Sequence, residues 1–581
     1  MAETLISPGV LAIENDQSFI TQQPVTVGAA LIGPTVKGPV EVPTVVTSYS
    51  QYQNIFGTTF LSASQVYTYF TSIAAFNYFN NGGESLLVAR VASGSFTSAV
   101  TSGSAANGSA ILNISGSLAL GLSTISQGTI MNSSSSLDAT TGALTSGSVD
   151  NIRWQIANAD TSSGTFSLLI RQGNDTTNDQ IVLETWTNLS MDPTAPNYVS
   201  RVIGNQYKQY NSADNQIEVV GDYLNNSRYV YVNSVSTPTP LYFDNSGTAK
   251  NQFTGSIPAN NSGSFISAVG SLTPVVGGAN YYNAISSSAT NTQGLTGSDY
   301  NNMISLLANA DDYRYNVLIA PGLFATPARI GASQTTTIIN NTMNRGDAIF
   351  VTDLVPYSSS INDVTTQANA KNTSYAAAYW PWVQTIDPDS AQLVWVPAST
   401  LVAGVYAYND SVSEPWFAPA GINRGGLSTV VRAEKKLSQA NRDTLYTNKV
   451  NPIATFPGTG VVVYGQKTLQ TKASALDRVN VRRLLIALKS YISQVANNLV
   501  FEQNTIATRT SFLNQINPYL ESVQQRQGLY AFKVIMDSSN NTPDVIDRNQ
   551  LVGAIYIQPA KAIEYIYITF NITPTGVTFG A

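Results

Sequence analysis

Apolar and polar positions fall into three textures along this chain. Short apolar runs at Val25–Ile32 and Ser85–Val91 are bounded by turn residues, Gly33-Pro34, Gly38-Pro39 and Asn80-Asn81-Gly82-Gly83. They predict buried strands. Between them Val66, Tyr69, Phe70, Ile73, Phe76 and Phe79 recur at helical spacing and predict a helix over 63–79. The same α/β texture returns at 301–430, with a helix predicted at 300–310, buried strands at 316–320 and 348–353, and another apolar run at 393–397. The intervening residues 93–300 are rich in Ser, Thr, Asn and Gly. Alternating runs at 152–157, 166–171, 180–187 and 229–235 give them the pattern of a β-sandwich-like unit, and a mildly acidic balance of 12 Asp and Glu to 6 Lys and Arg leads us to expect it to face outward.

The third texture begins at 431. From Ala475 to Phe501 the residues Val481, Leu484, Leu488, Tyr491, Val495 and Leu499 form one apolar stripe, the clearest helix in the sequence. Arg478, Arg482 and Lys489 cluster on a flank of that stripe at about 100° per residue. A second helix is expected to stop near Ile516, with Asn517-Pro518 opening another that Gly528 closes. Strands follow at 530–536 and 551–557, and a last one at 563–572, ended by Thr573-Pro574. In that last strand Ile566, Ile568, Phe570 and Ile572 face one side, Tyr565 and Tyr567 the other. At the opposite end Val10, Leu11, Ala12 and Ile13 read as one short strand whose neighbours supply no hairpin partner.

The fold class is therefore α+β / α/β multidomain: an α/β core with an inserted β-rich domain, a C-terminal two-layer α/β domain, and extended N- and C-terminal arms. The expected boundaries are an arm at 1–24, a central unit at 25–92 plus 301–430, the insert at 93–300, and a C-terminal unit at 431–581 carrying a terminal strand at 562–573. A length of 581 residues agrees with several cores rather than one.

Composition narrows the chemistry. With no cysteine, disulfides, thiolate nucleophiles and Cys-based metal sites are excluded. The absence of histidine removes the usual general base and every Ser–His–Asp triad. Only 11% of residues are charged, so the polar surface is built mainly from Ser, Thr, Asn and Gln. The net charge of −6 argues against nucleic acid as a partner. It is unevenly spread: residues 431–581 hold 16 Lys and Arg against 9 Asp and Glu, leaving +7 there and −13 elsewhere. A basic C-terminal unit suits an acidic partner, although solvation alone also accounts for such a bias. No stretch is apolar enough to span a bilayer, and Met1–Val10 lacks the basic and apolar regions of a signal peptide, so folding in the cytoplasm is expected.

Catalytic constellations are sparse. There is no P-loop, and Gly458-Thr459-Gly460 with Gly465 lacks dinucleotide-loop spacing, reading instead as a turn before a strand. The acidic pairs Asp311-Asp312 and Asp387/Asp389 have the composition of cation or acid/base sites, but their settings are those of a helix end and an Asp-Pro-Asp turn. No cofactor, metal or catalytic residue is expected.

Several segments, in order, resemble the contractile tail sheath proteins of myovirus-type phages. They are Ser7-Pro8-Gly9-Val10, Gly33-Pro34 with Lys37-Gly38-Pro39, Val46-Thr47-Ser48 with Phe56-Gly57, and Asn188–Pro193 with Pro196–Val199. Further along come Ser374–Ala377 with Tyr379-Trp380-Pro381-Trp382, Ala403–Tyr406, Ala418–Gly421 with Asn423-Arg424-Gly425, and Val479–Leu484. The resemblance implies a non-enzymatic virion protein assembled in the host cytoplasm, with a central domain of subtilisin-like fold that cannot run that chemistry without histidine. It implies stacked six-fold rings around an inner tube, contracting from a metastable extended state to drive the tube through an envelope. The partners implied are other copies of the chain, the tail tube protein, and baseplate and tail terminator proteins, with no nucleic acid and no membrane insertion. The arm residues Val10, Leu11, Ala12 and Ile13, and Ile566, Ile568, Phe570 and Ile572, are then intersubunit strands, and Arg478, Arg482 and Lys489 face the tube. A tailocin or other extracellular contractile injection system fits the same residues. A β-rich surface adhesin and a hydrolase of subtilisin-like fold are further readings, disfavoured by the basic helical C-terminal unit and by the missing histidine.

Overall fold

A computed structural model describes residues 27–567 apart from 63–64, 102–108, 135, 273–281, 283–292, 328 and 330. At its centre lies an eight-stranded sheet. Its spatial order is Thr44–Val46, Leu86–Arg90, Val27–Gly33, Tyr315–Phe324, Ile349–Asp353, Ala376–Trp380, Val450–Phe456, Gly460–Val463. The six inner strands are parallel and the two outer ones run antiparallel to their neighbours. Parallel strands need both faces covered, and alternate residues divide accordingly. Ala29, Leu31, Val317 and Ile319 point into one core with the helices Phe70–Asn80 and Ser399–Val412. Ala30, Ile32, Leu318 and Ala320 point into the other, against the helices Asn301–Leu306, Ala332–Arg345 and Gln439–Thr447.

The chain leaves this sheet after Arg90 and rejoins it at Tyr315, so the intervening residues form an insertion. Its main sheet is built from Ile152–Asp160, Thr165–Gln172, Val182–Ser190 and Asn261–Ser264. A second contains Leu118–Gln127 and Val230–Val235. Leu120, Leu122, Val230 and Val232 of one meet Trp154, Ile156, Leu168 and Ile170 of the other in a shared apolar core.

Three expectations shift. Residues 65–68 are a strand paired with Thr59–Ser62, and the helix starts at Phe70; β-branched and aromatic residues favour a pleated ribbon over the first turns of a helix. The boundary at 430 moves, because Val450–Phe456 and Gly460–Val463 belong to the central sheet. Charge balance marked 431, but sheet membership follows the buried Val450, Ile453, Val462 and Val463. The expected break at Asn517-Pro518 is absent: one helix runs Ile506–Gln525 with Pro518 inside it. Pro518 is exposed, so water can satisfy the carbonyl its missing N–H leaves free. Buried Phe512, Ile516, Leu520 and Val523 hold both halves against one core.

Candidate assembly surface

The C-terminal unit is two helices, Val479–Asn497 and Ile506–Gln525, on a two-stranded antiparallel sheet, Leu529–Ile535 with Ala554–Pro559. Leu484, Leu488, Phe512, Ile516, Leu520 and Leu529 form its core, and Tyr491 stacks on Tyr519 with ring centroids 3.8 Å apart. Each strand has one partner among the described residues, so both outer edges of this sheet carry unpaired backbone.

Past Pro559 the chain turns away from its own fold. Residues 561–567 carry no strand or helix, and Ile563, Ile566 and Tyr567 are 82%, 77% and 91% exposed. One residue in this stretch is fixed. Glu564 accepts from Arg478 Nε at 2.6 Å and Nη2 at 2.9 Å, and from Gln466 Nε2 at 3.2 Å. Burial alone would push the Glu564 carboxyl up, but these bonds and the guanidinium charge hold it below the usual range. Burial likewise works against the Arg478 charge, and the bonds to Glu564 outweigh it, leaving the pKa raised. The expected strand at 563–572 is thus irregular backbone as far as Tyr567. Ile568, Phe570, Ile572 and the arm residues Val10, Leu11, Ala12 and Ile13 lie outside the described residues.

The basic flank does not form one exposed stripe. Arg478 clasps Glu564 and also pairs with Asp477 at 2.9 Å. Arg482 is buried, donates to the Ser374 hydroxyl and lies 4.0 Å over the Tyr375 ring; burial lowers its pKa, with Tyr375 offsetting part. Lys489 is exposed and reaches the Tyr375 hydroxyl at 3.3 Å. The first half of this helix is buried on both sides, Val479 and Ile486 entering the central core while Leu484 and Leu488 enter the C-terminal one. A wheel drawn for one buried face cannot place such residues. Arg483, which the pattern did not single out, ties the units together through Asp410, with Nη1 to Oδ1 at 2.8 Å. Its partner lies 73 residues away in sequence, and adjacent arginines in a strongly helical stretch were the only signal.

The acidic pair Asp387/Asp389 is a turn. Asp387 accepts from the Thr68 and Ser390 hydroxyls, and Asp389 from Tyr49 and from Gln53 at 2.9 Å, bracing the helix Tyr49–Phe56. Gly458-Thr459-Gly460 turns between two strands of the central sheet. Among the described residues no group of three or more acidic side chains could hold a metal ion.

The sequence comparisons fall on these same units. Residues 293–469 match the phage tail sheath protein central domain, and residues 471–573 the phage tail sheath C-terminal domain. Residues 293–573 are thus similar to the central and C-terminal domains of the phage tail sheath family. The tail sheath protein of Vibrio phage KVP40 is 43% identical over 208 residues, covering 36% of this chain and 31% of the relative. That of Enterobacteria phage T4 is 43% identical over 185 residues, 32% of this chain and 28% of the relative. The aligned stretches thus span less than a third of either relative. The crystal structure of a sheath tail protein from Listeria innocua superposes over 92% of this chain and 96% of its own, with a TM-score of 0.50 at 10% identity, a likeness of fold. The break between the two family domains, at residue 470, agrees with a central unit that keeps Val450–Val463. The adhesin alternative gains nothing from these matches.

Proposed function

We propose that this chain is the structural, non-enzymatic subunit of a contractile tail sheath. It polymerises as stacked six-fold rings around a tail tube, between baseplate and terminator proteins, in a virion assembled in the host cytoplasm. The observation that supports this best is the pairing of a donor with an acceptor. The C-terminal segment leaves its own fold with apolar side chains in water, and the adjacent two-stranded sheet has two open edges among the described residues. A strand added to such an edge satisfies both sets of backbone groups, at about 1 kcal/mol net per hydrogen bond. Residues 563–572, and Val10–Ile13 from the other end, have the apolar pattern to serve as these donors. A mesh of this kind lets rings slide without separating, and contraction runs downhill to a packing that buries more surface. No nucleotide takes part.

The tube-facing role expected of Arg478, Arg482 and Lys489 narrows to Lys489, whose ammonium is the exposed one. Exposed pairs are worth about 0–1 kcal/mol each, which suits a contact that must register and then release. Electron microscopy of the purified full-length chain tests the reading. Hollow, striated cylinders are expected, and a chain that stays monomeric under all assembly conditions refutes it.

A further inference from the structure

One end of the C-terminal unit is apolar and faces water. The loop between the helices Val479–Asn497 and Ile506–Gln525 carries Val500 and Phe501 and runs into Ile506; the three are 59%, 100% and 78% exposed. Asn504 Nδ2 donates to the Gln550 carbonyl at 2.9 Å, which brings the exposed Leu551 and Val552 alongside. Phe501 also takes a φ of 72°, in the left-handed region that an aromatic residue rarely occupies. The backbone is thus strained to hold a ring wholly in solvent. Strain of this kind marks sites where a segment meets a partner, and so does an exposed apolar cluster.

Charge and position select the partner. The two loops, 498–506 and 536–553, carry Glu502, Asp537, Asp544 and Asp547 against Arg548 alone. Residues 1–26 bring Glu3, Glu14 and Asp16 with no Lys or Arg, so like charges oppose them there, and a second copy of the same patch repeats the acidic excess. Residues 568–581 carry no charged side chain. Beyond Thr573-Pro574 they hold Val577 and Phe579, which fall on one side of an extended chain. A strand laid antiparallel on the outer edge of Ala554–Pro559 finishes at the Ala554 end, next to Val552 and Leu551. Phe579 follows Ile572 by seven residues, about 23 Å when extended, so its ring is carried past that end. We infer that residues 573–581 of one copy cover this patch on the copy that receives its strand, with Val577 against Leu551 and Val552 and Phe579 against Phe501. The contact rests on the strand donation proposed above and adds an apolar anchor beyond the last backbone hydrogen bond.

The chain has no cysteine, so introduced thiols report the contact without background. Full-length Phe501→Cys and Phe579→Cys are mixed, assembled into cylinders, oxidised and run on a denaturing gel. Disulfide-linked dimers are expected in the mixture and in neither variant alone. Dimers of Phe501→Cys alone set the patch against its own counterpart, and cylinders without dimers leave it to another partner; either result overturns the inference. Should a cysteine variant fail to assemble, serine substitutions carry the test. Phe501→Ser and Phe579→Ser are each expected to raise the critical concentration for assembly by about tenfold, and together by little more than either alone. No effect, or independent effects that multiply, overturns the anchor. A wild type that forms no cylinders overturns strand donation and the anchor with it, whereas cylinders that tolerate both serines remove the anchor alone.

Discussion

The clasp between Arg478 and Glu564 sets where the C-terminal arm leaves the fold, and Glu564→Gln loosens it with little change in shape. The pair is bidentate, with side chains 24% and 18% exposed. A hydrogen bond to a charged group contributes about 1.5–3 kcal/mol when shielded. Partial exposure reduces that, leaving about 1–2 kcal/mol for the pair, or about 5–30-fold in the ratio of docked to released root. Lys561, three residues before Glu564 and exposed, is a built-in reporter. Trypsin needs several extended residues around the scissile bond, so cutting after Lys561 tracks the released population when release is fast. Glu564→Gln and Arg478→Met are each expected to speed this cut by about 5–30-fold without accelerating others. The double variant should be little faster than either single one, giving a coupling of about 1–2 kcal/mol. The depressed carboxyl pKa means the clasp is intact above the ordinary glutamate range and fails as pH falls below it, so wild type and variant converge in acid. Equal cutting rates at neutral pH refute the assignment, as does additive behaviour of the two substitutions.

Two further outcomes follow from buried groups. Burial pushes the Asp353 carboxyl up from 3.8 to about 7, the bonds from Ser399 at the start of the Ser399–Val412 helix offsetting only part of it. A raised carboxyl pKa means the folded state holds its proton longer, so stability should fall as pH rises from about 4 to about 7. Asp353→Asn should flatten that slope in denaturant titrations, leaving the share due to Glu434, also raised to about 7; an unchanged slope contradicts this. Pro518→Ala restores a donor inside the Ile506–Gln525 helix at an exposed position, and should stabilise the C-terminal unit by about 1–3 kcal/mol. A lowered melting temperature contradicts the view that this proline is merely tolerated.

The sheet strands were legible because local pattern and tertiary role coincide there: runs such as Leu86–Arg90 and Ile349–Asp353 are buried end to end. The helix Val479–Asn497 was legible as an element but not as a surface. Its apolar stripe marks one buried face, and nothing local shows that the central unit covers the other and swallows Arg482 and Arg483. Glu564 sits in an alternating apolar run that reads as a strand. Its hold on Arg478 spans 86 residues of sequence and has no local signature. Pro518 misled for the converse reason, since a strong local breaker was overridden by the apolar residues on either side of it. Arg90 looked like an ordinary strand end, and only three dimensions show two of its donors buried without a partner among the described residues.

The claim that matters most is that the C-terminal arm completes a sheet in another copy of the chain. Electron cryomicroscopy of assembled full-length protein, at a resolution that traces backbone, tests it directly. Residues 563–572 are expected as a strand hydrogen-bonded to Leu529–Ile535 or Ala554–Pro559 of an adjacent copy. A map in which that segment runs back along its own chain, touching no neighbour, contradicts the account.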